Sequence, residues 1–262
     1  VASRAKAVCN GLVSRPEGVV AVSLCAALAE DGYQVHRQPL LELSQLPQLR
    51  VGLRQIVLDL DCFQHVIFIS ANAVQFGMSL INDYWPHLPV GINWYGVGSA
   101  TARALAQFDI QAITPGNDMT SEGLLALPYL RNVQGHRVLI VKGEGGRDVL
   151  RTELMQRGAL VEELPCYRRS MPNLLAGVMA ERIAQWEVDV IMFSSGETLS
   201  NLLLLLSPAE TTKLKAVGLI VPSERVATVA RQAGFERVVV AENASDVAML
   251  HALQEWRHGT GE

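Results

Sequence analysis

The sequence lacks the residue patterns that mark metal, nucleotide and redox sites. Its four cysteines are Cys9, Cys25, Cys62 and Cys166, and no two of them stand at the CxxC spacing of a zinc or redox site. The histidines are scattered without an HExxH pair, and neither GxGxxG nor GxxxxGK[ST] occurs. We therefore predict reduced structural thiols, typical of the cytoplasm, with no metal and no bound nucleotide.

Charge and hydropathy exclude further classes of partner. A formal net charge of −4 offers no overall attraction for nucleic acid or an anionic membrane, so an anion site needs a local group of Arg and Lys. No apolar run reaches the roughly 18 residues that span a bilayer. The first ten residues contain no apolar stretch typical of a signal peptide. We predict a cytoplasmic protein without membrane or nucleic-acid partners. It is also expected to be a monomer, because no long heptad pattern or large apolar helix face stands out.

What the sequence does contain is an internal repeat. Short apolar runs (VIFI, VIMF, VLIV) are each followed by a small or polar residue and then by a helix with apolar residues three and four apart. Residues 12–40, 65–81 and 95–127 of the first half match residues 138–169, 189–206 and 218–253 of the second. This alternation predicts right-handed βαβ units in two doubly wound parallel sheets, and 262 residues suit two domains of about 125 each.

The predicted strand ends carry polar residues. They read SRPEG, SANAV, GSATA, KGEGG, SSGET and PSERV. Doubly wound sheets bind ligands beyond the carboxyl ends of their strands, where backbone amides at helix N-termini bind anions. At any one position a Ser or Thr can equally be a helix cap. Six such ends together favour a shared ligand site, although they do not identify the ligand.

Two similar segments join the repeated halves. GYQVHRQPLLEL (Gly32 to Leu43) and GALVEELPCYRR (Gly158 to Arg169) both follow a helix that ends in Gly, form a strand and cross a Pro. We predict that they connect two similar domains and that the ligand site is the cleft beside them.

Taken together, LVSRPEG, VIFISANAV, GVGSATARAL, GNDMTSEGLL, VLIVKGEGGRDVLRTEL, LPCYRR, MFSSGE and VPSERVATVA resemble the uroporphyrinogen-III synthase family, from about Gly11 to about Leu253. The resemblance implies two flavodoxin-like α/β domains, with a chain that starts in one, builds the whole second and returns. One domain would hold residues 1–38 and 170–262, and the other residues 39–169. Residues 37–43 and 164–169 would form a two-stranded hinge.

The resemblance also implies an activity. The family closes the linear tetrapyrrole hydroxymethylbilane to uroporphyrinogen III in haem biosynthesis, with loss of water, inversion of the last pyrrole ring, and no metal or organic cofactor. Because the substrate bears many carboxylates, its site needs hydrogen-bond donors and cations. The enzyme's contribution would be orientation of the two chain ends together with one general acid.

Tyr167, in the second crossing segment, is the residue that the resemblance implies as the acid, the alternative being a packing residue. Substrate-binding positions are implied for Arg15, Ser70, Thr101, Lys142, Arg147, Ser194 and Ser223. The sequence departs from the family pattern at Glu224, which would repel a substrate carboxylate unless it turns away.

The sequence is also compatible with two other functions. One is a hinged two-domain binding protein for an anionic small molecule, without catalysis. A periplasmic receptor of that kind should carry a signal peptide, which the sequence does not display. The other is a homologue that keeps the fold for regulation, and Glu224 is the feature that leans towards it.

Overall fold

The computed structural model describes residues 8–16, 19–46, 51–116 and 118–259. The strands of this part of the chain are β1 (Cys9–Val13), β2 (Tyr33–Arg37), β3 (Glu42–Gln45), β4 (His65–Phe68), β5 (Asn93–Gly96), β6 (Arg137–Gly143), β7 (Leu160–Ser170), β8 (Val190–Met192), β9 (Gly218–Val221) and β10 (Val238–Val240). Its α-helices are α1 (Val19–Glu30), α2 (Val51–Leu58), α3 (Ala71–Asn82), α4 (Ser99–Ala106), α5 (Ser121–Leu125), α6 (Val149–Gln156), α7 (Val178–Gln185), α8 (Gly196–Leu205), α9 (Pro208–Lys213), α10 (Glu224–Gln232) and α11 (Asp246–His258). Short 3₁₀ turns lie at Leu60–Cys62 and Pro128–Leu130.

The chain divides into two compact units. The first contains Val1–Leu43 and Ser170–Glu262, and the second contains Ser44–Arg169. The chain therefore passes from the first unit to the second and back again.

The first unit is built on a parallel sheet with the order β10-β9-β8-β1-β2. Neighbouring residues of each strand point to opposite faces. Leu12 and Ile191 join the cluster packed by α7, α8 and α10, whereas Val13 and Val190 join the cluster packed by α1 and α11. Each fully buried aliphatic side chain stabilises the sheet by about 1.5–3 kcal/mol. The continuous apolar runs of the sequence are therefore strands covered on both faces.

The second unit is built on a sheet with the order β3-β7-β6-β4-β5, in which the β7–β6, β6–β4 and β4–β5 pairs are parallel. Ile67 and Ile140 face α5 and α6 in one buried cluster. On α3, Gly77 faces Val141 and Phe68, and a Cβ added to it would lie 2.5 Å from Val141 Cγ1. Glycine therefore lets α3 approach β6 closely.

Four strands of the second sheet follow the same order as four strands of the first. β2-β1-β8-β9-β10 corresponds to β7-β6-β4-β5, and an isolated parallel bridge between Tyr95 and Ile113 stands where β10 would be. β3 is an added strand beside β7. The prediction of two similar doubly wound parallel sheets is confirmed. Strand order reverses between β1 and β8 and between β6 and β4, and such switch points are where doubly wound sheets bind ligands.

The segment after β2 belongs to the first unit as far as Leu43. The Leu40 amide donates to the carbonyl of Ser14, the Asn201 side chain donates to the carbonyl of Leu40, and the Leu40 side chain is fully buried in the first unit's core. The family resemblance implies a second domain of residues 39–169, whereas the compact units divide after Leu43. The buried leucine and its hydrogen bonds attach these residues to the first unit.

Candidate functional site

The carboxyl ends of β4, β6 and β7 bring together the groups that we call the carboxyl edge of the second sheet: Ser70, Phe76, Gly143 and Tyr167. Ser70 follows β4 and begins α3, and Gly143 ends β6. Tyr167 lies on β7, directly opposite Gly143. These groups surround the switch point of this sheet, which makes it the candidate site of the second unit.

Ser70 is the N-cap of α3. Its backbone is extended, and its Oγ accepts a hydrogen bond from the Ala73 amide at 3.1 Å. A serine in this role satisfies one of the amides that a helix N-terminus leaves unpaired. The cap holds the Ser70 hydroxyl at the carboxyl edge, where it is partly exposed.

A β-bulge sets the direction of Tyr167. β6 and β7 pair regularly up to Lys142 and Pro165, and the next pair is Gly143 with Tyr167, so Cys166 is an extra residue on β7. The Cys166 thiol is fully buried and donates to the Lys142 carbonyl at 3.3 Å, and burial raises its pKa to about 12. The bulge therefore buries the inert thiol of Cys166 and puts Tyr167 next to Gly143.

The Tyr167 ring lies in a narrow slot. A Cβ on Gly143 would lie 2.7 Å from Tyr167 Cζ, so the absence of a side chain there makes room for the ring. Phe76 of α3 stacks on the ring with centroids 5.3 Å apart and planes 25° apart, within the range of favourable aromatic pairs. The Tyr167 oxygen lies 3.4 Å from Ser70 Oγ. With only 4% of its surface exposed, Tyr167 is held by packing, and its hydroxyl is directed at the Ser70 end of the slot.

The two buried cations predicted to bind substrate are already paired within the protein. Lys142 Nζ lies 2.9 Å from Glu163 Oε1 and 3.7 Å from Asp148 Oδ1. Arg15 follows β1, and its guanidinium contacts the carboxylate of Asp246 and donates to the carbonyl of Ala244 at 2.6 Å. Both pairs neutralise a cation that would be costly to bury alone.

Arg147 differs from these two cations because 74% of its side chain is exposed. It lies 3.8 Å from Glu122, a distance at which a surface ion pair contributes little. Arg147 stands in the loop between β6 and α6, beyond the carboxyl edge of the second sheet. It is the predicted cation that retains solvent access.

The predicted hydroxyl residues have different surroundings. Thr101 is buried in α4, and its Cβ and Cγ2 would both lie 3.2 Å from a Cβ built on Gly96. Ser194 follows β8, but the N-cap of α8 is its neighbour Ser195, whose Oγ accepts from the Thr198 amide at 3.3 Å. Ser194 is therefore not used as the cap of this helix.

After β9, the Glu224 carboxylate has a cation partner within the protein. Ser223 has the N-cap position of α10 without a side-chain cap hydrogen bond. The Glu224 carboxylate is paired with Arg231 on the same helix. Its negative charge is therefore partly offset by a protein cation at the surface.

Sequence reasoning missed Phe76 and the bulge at Cys166. Phe76 lies in an ordinary amphipathic helix pattern, and nothing in that pattern distinguishes a ring that stacks on Tyr167 from a core residue. Glu144 was also missed: its amide donates to the Tyr167 carbonyl at 2.8 Å and its carboxylate pairs with Arg168 at 2.5 Å. The glycines of KGEGG were the only indication that the chain there approaches another element closely.

A separate group of titratable residues includes the first residue of β4. His65 Nδ1 lies 3.0 Å from the Tyr95 hydroxyl, and His65 Nε2 lies 3.0 Å from His136 Nδ1. Burial, followed by the nearby His136, lowers the pKa of His65 to about 4. Burial also raises the pKa of Tyr95 to about 12. This group lies at the opposite end of β4 from Ser70.

The described residues contain neither a metal-binding group nor a membrane-spanning helix. Among them, no group of three or more His, Cys, Asp or Glu side chains is arranged to hold a metal ion. None of the helices in this part of the chain has the length and apolar character needed to cross a membrane.

The fold and the carboxyl-edge groups define a two-unit α/β protein of the doubly wound type, with hydroxyl, glycine and basic residues at its strand ends. The family described as Uroporphyrinogen-III synthase HemD matches residues 22–251. The chain is 35% identical over 251 residues to the uroporphyrinogen-III synthase of Escherichia coli (strain K12), covering 93% of this chain and 99% of that protein. It is 34% identical over 253 residues to the corresponding protein of Salmonella typhimurium (strain LT2), with the same coverage. The chain therefore belongs to the uroporphyrinogen-III synthase family.

Solved structures support the same fold. A mutant uroporphyrinogen III synthase from the extremely thermophilic bacterium Thermus thermophilus superposes with a TM-score of 0.61 at 19% identity, covering 96% of this chain and all of that one. Uroporphyrinogen-III synthetase from Helicobacter pylori 26695 gives a TM-score of 0.61 at 15% identity, with 95% and 99% coverage. At such low identity these likenesses concern the fold alone.

Proposed function

We propose that this protein converts hydroxymethylbilane to uroporphyrinogen III, with loss of water and inversion of the last pyrrole ring. The observation that carries the proposal is its family membership, with 35% identity extending over almost the full length of both chains. The conversion removes water and changes no oxidation state, so it requires no electron carrier. We further propose that the protein acts in the cytoplasm as a monomer, and that residues 37–43 and 164–169 serve as its hinge.

Tyr167 is the residue that we propose as the general acid. Its phenol would donate a proton to the departing hydroxyl group of the substrate, helping to form the electrophilic azafulvene. Its place at the switch point, in a slot formed by Gly143 and Phe76, supports this role because a general acid must be held in one direction.

The substrate carboxylates need cations and donors. Arg147 is the cation that we propose for direct contact, because its side chain is exposed beyond the carboxyl edge. Ser194, Thr101 and Ser223 remain proposed contacts. Arg15 and Lys142 would act more weakly, since their own carboxylate partners already neutralise them.

The decisive experiment supplies freshly prepared hydroxymethylbilane to the purified protein and separates the uroporphyrin isomers after oxidation. We expect the type III isomer, formed faster than the spontaneous type I ring. Type I alone, at the rate seen with heat-denatured protein, would refute the synthase activity. In that case, saturable binding of the substrate without turnover would favour the hinged binding protein.

A second experiment tests the acid. Tyr167→Phe keeps the ring and its contacts with Gly143 and Phe76 but removes the hydroxyl. We expect kcat to fall by about 100-fold, the lower end of general-acid contributions, with little change in KM. An unchanged kcat would remove Tyr167 from the acid role and leave the overall function intact.

A further inference from the structure

The hydroxyl groups of Ser70 and Tyr167 lie 3.4 Å apart at the carboxyl edge of the second sheet. We infer that Ser70 is a positioning residue for Tyr167: it donates a hydrogen bond to the phenol oxygen and so leaves the phenol proton free for the substrate. The inference rests on the proposed function, in which Tyr167 is the acid. It gives Ser70 a role different from the substrate contact that the sequence suggested.

The hydrogen-bonding capacity of the two hydroxyls supports this direction. A serine hydroxyl has one proton to donate and two lone pairs that accept. One lone pair of Ser70 accepts from the Ala73 amide at 3.1 Å, so the Ser70 proton remains for another partner. A phenol has a single proton, and donation to Ser70 would use it up. The arrangement that permits acid catalysis is therefore Ser70 as donor and Tyr167 as acceptor.

The surrounding packing keeps the two oxygens together. Helix capping fixes Ser70, while Gly143 and the stacked ring of Phe76 hold the plane of Tyr167. At 3.4 Å the oxygens are farther apart than in a fully formed O–H···O bond. Catalytic hydrogen bonds commonly tighten only when the substrate is bound, and a small adjustment of the Ser70 side chain within its cap would suffice.

The proposed bond would strengthen as the reaction proceeds. The phenol proton joins the departing hydroxyl, the electrons of the breaking C–O bond stay with that oxygen, and water leaves. The pyrrole nitrogen lone pair forms the new C=N bond of the azafulvene cation. Negative charge meanwhile develops on the phenol oxygen, where a hydroxyl donor stabilises it more than the neutral phenol. The carbon that closes the ring later releases one proton, which restores the phenol.

A double-mutant cycle tests the inference. We would measure kcat, KM and the yield of type III isomer for wild type, Ser70→Ala, Tyr167→Phe and the double variant. Ser70→Ala should lower kcat about tenfold, the loss of one hydrogen bond to a charged group, with KM changed less than about twofold. In the Tyr167→Phe background the same change should alter kcat less than about twofold, because the phenol oxygen that would accept the Ser70 hydrogen bond is absent.

Three further variants separate positioning from helix capping. Ser70→Thr keeps the hydroxyl and should restore most of the activity. Ser70→Asp keeps a cap acceptor of equal quality but, when ionised, has no proton to donate, so its kcat should stay as low as that of Ser70→Ala. The control is Ser207→Ala, which removes the N-cap of α9, a helix that follows another helix and not a strand end. Its kcat should equal that of wild type.

The outcomes distinguish this inference from the proposed function. If wild type makes type III and Ser70→Ala causes the same loss in both backgrounds, Ser70 acts independently of Tyr167 and the inference is wrong. A raised KM with unchanged kcat would likewise overturn it, because Ser70 would then be a substrate contact. Wild-type kcat in Ser70→Asp would contradict the donor role even if Ser70→Ala fails to fold. If wild type makes no type III, the proposed function fails and the inference with it.

Discussion

The stability of the second unit is expected to depend on pH through His65. This side chain is 3% exposed, and both ring nitrogens have protein partners, Tyr95 and His136. Burial is the main reason that its pKa falls to about 4 from the value of 6.5 that an unburied histidine has. Below pH 6.5 the unfolded chain therefore takes up a proton that the folded unit resists.

The sign and size of the effect follow from proton linkage. The stabilisation is fully present above pH 6.5 and is lost as the pH falls towards 4, because the unfolded state binds more protons throughout that window. The difference between the pKa of about 4 in the folded unit and 6.5 in the unfolded chain corresponds to roughly 3 kcal/mol of stability in total. Between about pH 7 and pH 5 the expected loss is about 2 kcal/mol.

Hydrogen exchange measured by mass spectrometry can follow each unit separately. The slowest amides of β4 and β6 report the opening free energy of the second unit at about pH 7 and pH 5, after correction for intrinsic exchange. His65→Gln removes the titrating group and should reduce the difference between the two pH values by about 2 kcal/mol. His87→Gln, at an exposed histidine of the same unit, is the matched control and should leave the difference unchanged. If His65→Gln had the same pH dependence as wild type, the assigned origin of the effect would be wrong.

The remaining predictions concern the candidate site and its cations. Gly143→Ala should fold but lose activity by at least about tenfold, because its Cβ would lie 2.7 Å from Tyr167 Cζ and displace the ring; a kcat equal to wild type would contradict the slot. Arg15→Ala should lower the free energy of unfolding of the first unit by about 1–2 kcal/mol, because Asp246 loses its cation but is 30% exposed and still accepts a hydrogen bond from the Ser23 hydroxyl, and calorimetry would measure the change. Arg147→Ala should leave stability unchanged and raise KM for hydroxymethylbilane about fivefold, the loss expected for one exposed ionic contact. If KM rose for Arg15→Ala but did not change for Arg147→Ala, the roles assigned to these two cations would be reversed.

Local sequence patterns were sufficient for the architecture. Apolar runs such as VIFI and VIMF predict strands covered on both faces, and the matched order of units predicts two similar sheets. Both predictions are confirmed, because burial on two faces and helix periodicity are properties of consecutive residues. The polar residues at the strand ends were also visible, since the carboxyl ends of parallel strands meet at one edge of a sheet. The motifs in their order were enough to indicate the family.

The partners of the site residues were decided by the tertiary structure. Arg15 contacts Asp246, 231 residues away, so its burial and pairing cannot be read from the residues around SRPEG. Ser195 caps α8 in place of Ser194, because the exact start of a helix depends on how the preceding strand is packed. Phe76 meets Tyr167 because a bulge of one residue changes which side chain of β7 faces the slot. A strand reverses its facing side chains with each residue, and only the pairing of β6 with β7 determines that Tyr167, and not Cys166, lies against Gly143.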